Sequence, residues 1–98
     1  MNSYAQHLVG AVEEIRSFSS TDEGRKWDAQ WYHQIESLVD KVSAQNSDDE
    51  AERYLDMLMW CIVDSGPLGL GFAPSIDRAA DAMQRKRKRV FKERRLAQ

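Results

Sequence analysis

Cysteine is almost absent from this 98-residue chain, and long apolar runs are missing altogether. The single cysteine, Cys61, has no second thiol to pair with, which excludes a disulfide within the chain. The longest apolar stretch, Met57 to Val63, is far shorter than the about 20 residues that cross a membrane. The first residues also lack the basic and apolar segments of a signal peptide. We therefore expect no membrane span and a location in the reducing cytoplasm.

Histidine is scarce as well, with two residues in the chain. A metal site would need clustered Cys and His, or Glu-x-x-His pairs on facing helices, and neither pattern is present. His33 and Glu36 form a single reversed pair, which a surface hydrogen bond explains better. A nucleophilic site built from Cys61 or Ser65 with His7 or His33 has no enzyme motif to support it. We expect no enzymatic activity, no metal and no cofactor, with Cys61 as a buried structural residue.

The net charge of −2 hides a strong asymmetry along the chain. Residues 1–84 carry 6 basic and 15 acidic side chains, giving −9, whereas residues 85–98 carry 8 and 1, giving +7. Two surfaces of opposite sign would attract different partners. The sequence thus predicts an acidic helical bundle over 1–84 and a basic C-terminal helical extension or tail of the same domain over 85–98.

Apolar residues recur at three- and four-residue spacing in four segments, which predicts an all-α fold, a compact bundle of about four helices. The first helix is predicted over about 3–18. A capping box formed by Ser20 and Glu23 predicts the start of the second. The second helix carries the most regular apolar stripe, formed by Trp27, Trp31, Ile35, Leu38 and Val42.

The third and fourth helices have clear start and stop signals. Ser47 with Glu50 predicts the start of a helix over about 48–64, and Gly66 before a proline predicts its end at a left-handed cap. A Gly/Pro-rich loop follows, and Ser75 is the predicted N-cap of the last helix.

The aromatic residues of the second and third helices are expected mainly in the core. On the third helix, Met57, Trp60, Cys61 and Val63 widen the apolar face, which predicts a largely buried, central helix. Tyr32, one position off the stripe of the second helix, is expected to be more exposed than the tryptophans.

The loop before the last helix is too apolar to be an idle linker. We predict that Leu68, Leu70 and Phe72 bind a partner, because apolar side chains on a Gly/Pro-shaped loop resemble an exposed anchor patch. Two alternatives stay open. The same side chains could cap the end of the bundle, or the glycines could cradle a phosphate, although the ending of a P-loop is missing.

The basic segment is dense enough to bind phosphates through counterion release. Its candidate residues for nucleic-acid or acidic-partner binding are Arg85, Lys86, Arg87, Lys88, Arg89, Lys92, Arg94 and Arg95. The composition also favours a helix whose charge is neutralised by the chain's own carboxylates, including Asp49 and Glu52. A membrane surface is a further alternative.

A small acidic helical bundle without a catalytic constellation resembles bacterial toxin-immunity proteins and phage-encoded inhibitors. The resemblance is one of size, charge and fold, so it carries over no functional residues. Together with the missing catalytic constellation, the apolar loop and the −9 body, it implies a small non-enzymatic protein-interaction module that binds a protein partner through an acidic helix surface or through the loop from Leu68 to Phe72. The alternative is a nucleic-acid-binding protein that uses the basic segment, and a homodimer formed between the acidic body and the basic tail is compatible with both.

Overall fold

A computed structural model describes residues 1–66 and 72–97. Four α-helices lie at Ala11–Ser19 (α1), Ala29–Ala44 (α2), Asp48–Ser65 (α3) and Pro74–Ala97 (α4). Two short 3-10 helices, at Ala5–Leu8 and Gly24–Lys26, precede α1 and α2. The predicted all-α bundle of about four helices is confirmed.

The N-terminal segment is interrupted, so the prediction of one helix over about 3–18 is wrong. Gly10 has a φ of 88°, in the left-handed region that favours glycine. Val9 before it is extended, and the chain changes direction between the first 3-10 helix and α1. The apolar spacing survives because Leu8 and Ile15, on either side of the break, enter the same core.

The side chain of Asn2 holds this segment against the bundle. Its Nδ2 donates to the carbonyl oxygens of Val42 and Gln45 at the end of α2, at 2.7 and 2.8 Å. Its Oδ1 accepts from the N–H groups of Tyr4 and Ala5. One amide thus satisfies carbonyls at a helix C-terminus and N–H groups at the start of a 3-10 helix.

The start of α2 lies later than the predicted capping box over residues 20–23, and that prediction is wrong. A 3-10 helix intervenes, and α2 begins after Asp28, whose carboxylate accepts from the N–H of Trp31 at 2.8 Å. This is an N-cap of the usual kind. The apolar spacing continues back to Trp27, which lies before the helix, so spacing alone does not reveal where α2 begins.

The predicted start of α3 is confirmed, because Ser47 accepts from the N–H of Glu50 at 3.2 Å. Its end differs from the prediction, since Gly66 is extended, with φ −102° and ψ −178°, and is not left-handed. A Cβ at Gly66 would lie 2.7 Å from the carbonyl oxygen of Ile62. Close packing against the last turn, and not a positive φ, therefore favours glycine here.

The cap of α4 comes from α1. Ser75 is fully buried inside the first turn, and both its N–H and its Oγ donate to the carboxylate of Glu14, at 2.9 and 2.6 Å. That carboxylate faces the positive end of the α4 dipole. The prediction of Ser75 as the N-cap is wrong, because the capping oxygen belongs to a residue far away in the sequence.

The core lies between the four helices and the first 3-10 helix. α2 and α3 pack together most extensively, while α4 packs against the first 3-10 helix, α1 and α3. Burying a large aliphatic side chain contributes about 1.5–3 kcal/mol. The side chains buried most completely include Tyr4, Ile15, Ile35, Val42, Leu55, Leu58 and Ile76.

The last helix, α4, extends beyond this core. Met83 is the last residue of α4 in the core cluster, yet the helix continues to Ala97. A helix of 24 residues is about 36 Å long, which agrees with a molecule of 51 × 26 × 17 Å. The basic segment is therefore helical up to Ala97. In the part of the chain that the structure describes, no helix is both long and apolar enough to span a membrane.

Candidate partner-binding surfaces

The loop before α4 is described only at its end, because Leu68 and Leu70 lie outside the described residues. Phe72 is 7% exposed. Its ring meets Phe18 edge to face with centroids 5.1 Å apart, and it lies 5.7 Å from the ring of Trp31. This packing agrees with the alternative in which the loop covers the end of the bundle. Partner binding by the loop stays a prediction.

The aromatic residues of α2 follow the expectation only in part. Trp27 and Trp31 are half-buried and pack against the core cluster, as core packing predicts. Tyr32 is 9% exposed, and its hydroxyl donates to the carbonyl of Gly24, so the prediction of a more exposed tyrosine is wrong. Because α2 packs against α1 and the first 3-10 helix as well as α3, its buried face is wider than the stripe.

Trp60 on α3 departs furthest from the sequence prediction, because it is 69% exposed. Met57 and Val63, three residues before and after it, are 52% and 54% exposed, while Cys61 is half-buried. The prediction that these side chains widen a buried face is wrong. The buried stripe of α3 is narrow and consists of Ala51, Leu55, Leu58 and Ile62. We call Met57, Trp60 and Val63 the α3 patch.

The α3 patch borders a depression of about 760 Å³ between the surfaces of α2 and α3. Leu38, Met59 and Cys61 add apolar surface to its lining, and Lys41 and Asp56 add charge. The volume lies in the usual range of binding clefts, about 300–1,000 Å³. Clustered apolar side chains with a polar rim mark interaction sites on protein surfaces.

The eight predicted basic residues of α4 divide between two sides of the helix. Lys86 Nζ lies 2.6 Å from Glu52 Oε2, and Arg87 donates to both carboxylate oxygens of Asp56, at 2.9 and 2.8 Å. These hydrogen bonds raise the pKa of Lys86 and of Arg87 above their ordinary values. Arg94 lines the same small depression as Lys86 and Arg87. We call Lys86, Arg87 and Arg94 the inner cations.

Glu52 connects the inner cations to the N-terminal segment. Its Oε2 also accepts from the hydroxyl of Tyr4, at 3.0 Å. Tyr4 is 2% exposed, and burial together with the hydrogen bond to Glu52 holds the pKa of Tyr4 well above its ordinary value. Lys86 is further flanked by Asp49, at 3.9 Å. Part of the basic segment is therefore neutralised by the chain's own carboxylates.

The other five basic residues face away from the bundle. At about 100° per residue they fall within an arc of about 120°, opposite Met83 and the inner cations. All five are exposed, and none forms an ion pair with another described residue. We call this set the outer cationic face, and it consists of Arg85, Lys88, Arg89, Lys92 and Arg95.

The side chains of the candidate nucleophiles and bases of the sequence, which include Cys61, Ser65 and His33, are not hydrogen-bonded to one another as a nucleophilic site requires. His33 is exposed on α2, and Ser65 Oγ donates to the backbone carbonyl of Cys61, at 3.2 Å, as an ordinary helix contact. Among residues 1–66 and 72–97, no group of three or more His, Cys, Asp and Glu side chains could hold a metal ion. The lack of enzymatic activity stays a prediction.

Two described surfaces thus have the character of binding sites. The α3 patch is apolar, and the outer cationic face is charged and lies on a different helix. In comparisons with protein-family models, curated proteins and solved structures, nothing matches this chain.

Proposed function

We propose that the protein is a small, non-enzymatic interaction module that binds a protein partner through the α3 patch. The exposure of Trp60 between Met57 and Val63 carries this proposal. Tryptophan is enriched among the few residues that supply most of the binding energy at protein interfaces. Removing apolar area from water is favourable by roughly 25 cal/mol per Å², and the part of this that exceeds the cost of association stabilises a complex.

The α3 patch replaces the loop as the leading anchor. Of the three predicted loop residues, Phe72 packs its ring against Phe18 and Trp31, and Leu68 and Leu70 lie outside the described residues. Trp60, in contrast, leaves more than two thirds of its surface free.

The charge around the patch indicates the chemistry of the partner. Residues 1–84 carry −9 as a whole; beside the patch Asp64 is exposed, while Lys41 in the lining opposes this charge and Asp56 is paired with Arg87. An acidic field steers basic partners toward the surface and disfavours acidic ones. The partner we propose therefore presents an apolar anchor with basic residues around it.

The shape of the site favours a helix as the bound element. The depression lies between two packed helices and contains residues from both, an arrangement that suits an amphipathic helix laid into a groove. A basic amphipathic helix of the partner would place its apolar side on Trp60 and Met57. Covering a functional surface of that partner in the cytoplasm is the mode of an inhibitor or immunity-type protein of bacterial or phage origin.

The proposal is tested by affinity capture with three forms of the full-length tagged protein. These are the wild type, the double variant Met57→Ser/Trp60→Ser, and the control Val9→Ser. Val9 is 78% exposed but does not line the depression, so it removes exposed apolar surface without touching the site. We expect the wild type and the control to retain one basic protein, and the double variant to lose it by about thirtyfold or more.

Circular dichroism and thermal unfolding of all three forms verify that the fold is retained. Equal retention by the double variant would remove the α3 patch from the account. Recovery of an acidic partner would contradict the charge argument. Recovery of nothing but a second copy of this chain would replace the heterologous partner with a homodimer.

A further inference from the structure

We infer that the outer cationic face of α4 is a second binding site, for the phosphate backbone of double-stranded DNA. It presents five cations over residues 85–95, a length of about 15 Å along the helix. Duplex DNA carries one negative charge per about 1.7 Å of its axis, so the same length presents about nine phosphates. The helix is therefore dense enough in charge to contact several phosphates at once.

The division of the cations by side is the structural basis of this inference. The inner cations Lys86 and Arg87 are held by Glu52 and Asp56. Together with the buried residues Ile76, Ala79 and Met83, those contacts place one side of α4 against the bundle and leave the opposite side toward solvent. The outer cationic face forms no ion pair with a described residue, so it does not have to give up an internal carboxylate when it binds.

The position of the face along α4 keeps it apart from the acidic body. Asp77 and Asp81 lie on the same side of the helix but in its first half, where α4 packs on the core. The basic residues begin at Arg85, just beyond the last core residue, Met83. A polyanion can therefore contact the second half of α4 without lying against the first.

The form of the site favours a B-form duplex over other nucleic acids. The major groove of B-DNA, about 12 Å wide, admits an α-helix, whereas the deep and narrow groove of duplex RNA does not. Single strands are usually held by successive bases stacking on several aromatic rings, whereas α4 contains one aromatic residue, the exposed Phe91 at the edge of the outer cationic face. Contacts from Lys and Arg to phosphates alone predict binding without sequence preference.

A membrane surface suits this helix less well. Membrane-bound amphipathic helices insert an apolar side next to their cations. In α4 the apolar side, with Ile76, Ala79 and Met83, is already buried in the core of the bundle. The exposed apolar residues of the second half, Phe91 and Leu96, do not form a second apolar side, because at about 100° per residue they lie about 140° apart around the helix.

The test is the fluorescence anisotropy of a labelled DNA duplex of about 20 base pairs, titrated with the full-length protein between about 50 and 200 mM salt. The wild type is compared with Arg89→Gln/Lys92→Gln and with the control Arg25→Gln/Lys26→Gln. Both variants lose one Arg and one Lys from exposed positions, so their net charges are equal. Arg25 and Lys26 lie on the second 3-10 helix and are not part of α4.

We expect the wild type to bind with a slope of log affinity against log salt of about −4 to −5, as five phosphate contacts predict. The outer variant should lose about tenfold in affinity at the lowest salt, with a slope smaller in magnitude by about two, whereas the control changes little. Single-stranded DNA, duplex RNA and vesicles that contain anionic lipid, added as unlabelled competitors, should displace the labelled duplex less well than unlabelled duplex DNA does.

Equal loss in both variants would overturn the inference, because net charge and not the outer cationic face would then govern binding. No binding at about 50 mM salt would also overturn it. Tighter binding to single strands, to duplex RNA or to anionic lipid vesicles would reassign the site to that ligand and contradict the duplex.

Discussion

Single polar side chains join segments of this protein that are far apart in the sequence. Asn2 bonds to the end of α2, Glu14 caps α4, and Glu52 links Tyr4 to Lys86. Each satisfies groups that would otherwise be buried without a partner. None belongs to an apolar stripe, so helical spacing does not predict these roles.

Asn2 provides a direct test at this scale. Asn2→Ala leaves the carbonyls of Val42 and Gln45 and the N–H of Tyr4 without their partner, and should lower the free energy of unfolding by about 1–3 kcal/mol. Urea denaturation measures the change. Gln6→Ala, at an exposed position of the same segment, should stay within about 0.5 kcal/mol of the wild type. Equal midpoints for the two variants would contradict the anchoring role.

Asp48 gives stability a dependence on pH. Its carboxylate accepts from the N–H and the Oγ of Ser3, both at 2.7 Å, and these hydrogen bonds lower the pKa of Asp48. The unfolded chain takes up a proton near the ordinary aspartate pKa of about 3.9, and the native state only at lower pH. Between those values the unfolded state binds more protons, so stability falls as the pH falls.

The variant Asp48→Asn should therefore lose stability at neutral pH and show a shallower acid decline below about pH 4. Urea unfolding at a series of pH values from neutral to acid measures both effects. Asp22→Asn, which alters an exposed carboxylate, is the control. An acid limb of the same slope in the wild type and in Asp48→Asn would refute the assignment.

The helices differ in how far the sequence predicts where they begin and which side they bury. The start of α3 is local, since the side chain of Ser47 accepts from the N–H of Glu50 three residues on, and it was predictable. The start of α4 is not local, because its cap is on α1. The outward position of Trp60 could not be predicted from the sequence either. Apolar residues occur on most sides of α3, and only the packing of the other helices decides which of them are buried.

Two glycines at the breaks between elements should respond differently to the same substitution. A Cβ at Gly24 would lie 1.8 Å from the carbonyl oxygen of Phe18, so Gly24→Ala must displace backbone and should cost about 3 kcal/mol or more. At Gly10 a Cβ would meet only Glu14 Oε2, at 4.0 Å. The cost of Gly10→Ala is then the left-handed strain, about 1–2 kcal/mol. Thermal unfolding measures the order, and a larger loss for Gly10→Ala would contradict it.

The molecule as a whole combines an apolar patch and a cationic surface on different helices. The asymmetry of charge was visible in the sequence, whereas its division into inner cations and an outer cationic face depends on the ion pairs to Glu52 and Asp56. Those pairs hold α4 in one rotation against α3. The acidic bundle and the basic extension are therefore joined through charge as well as through the core.

If the two surfaces act independently, substitutions in one surface should leave binding at the other surface unchanged. Met57→Ser/Trp60→Ser should leave DNA affinity unchanged, and Arg89→Gln/Lys92→Gln should leave capture of the protein partner unchanged, since distant sites without shared partners add. DNA titration and partner capture, each carried out with both double variants, measure this. A loss of both activities from either pair alone would show one continuous interface instead.

The central claim, that Trp60 is the anchor for a protein partner, is tested most directly by photo-crosslinking in living cells of the native host. A photoreactive aromatic amino acid, which keeps a large apolar ring at the anchor position, replaces Trp60 in one form and Gln30, an exposed residue of α2 that does not line the depression, in the other. We predict one discrete adduct with a basic protein from position 60 and none from position 30. No discrete adduct from position 60, the same adducts from both positions, or an adduct of twice the chain's own mass would contradict the account.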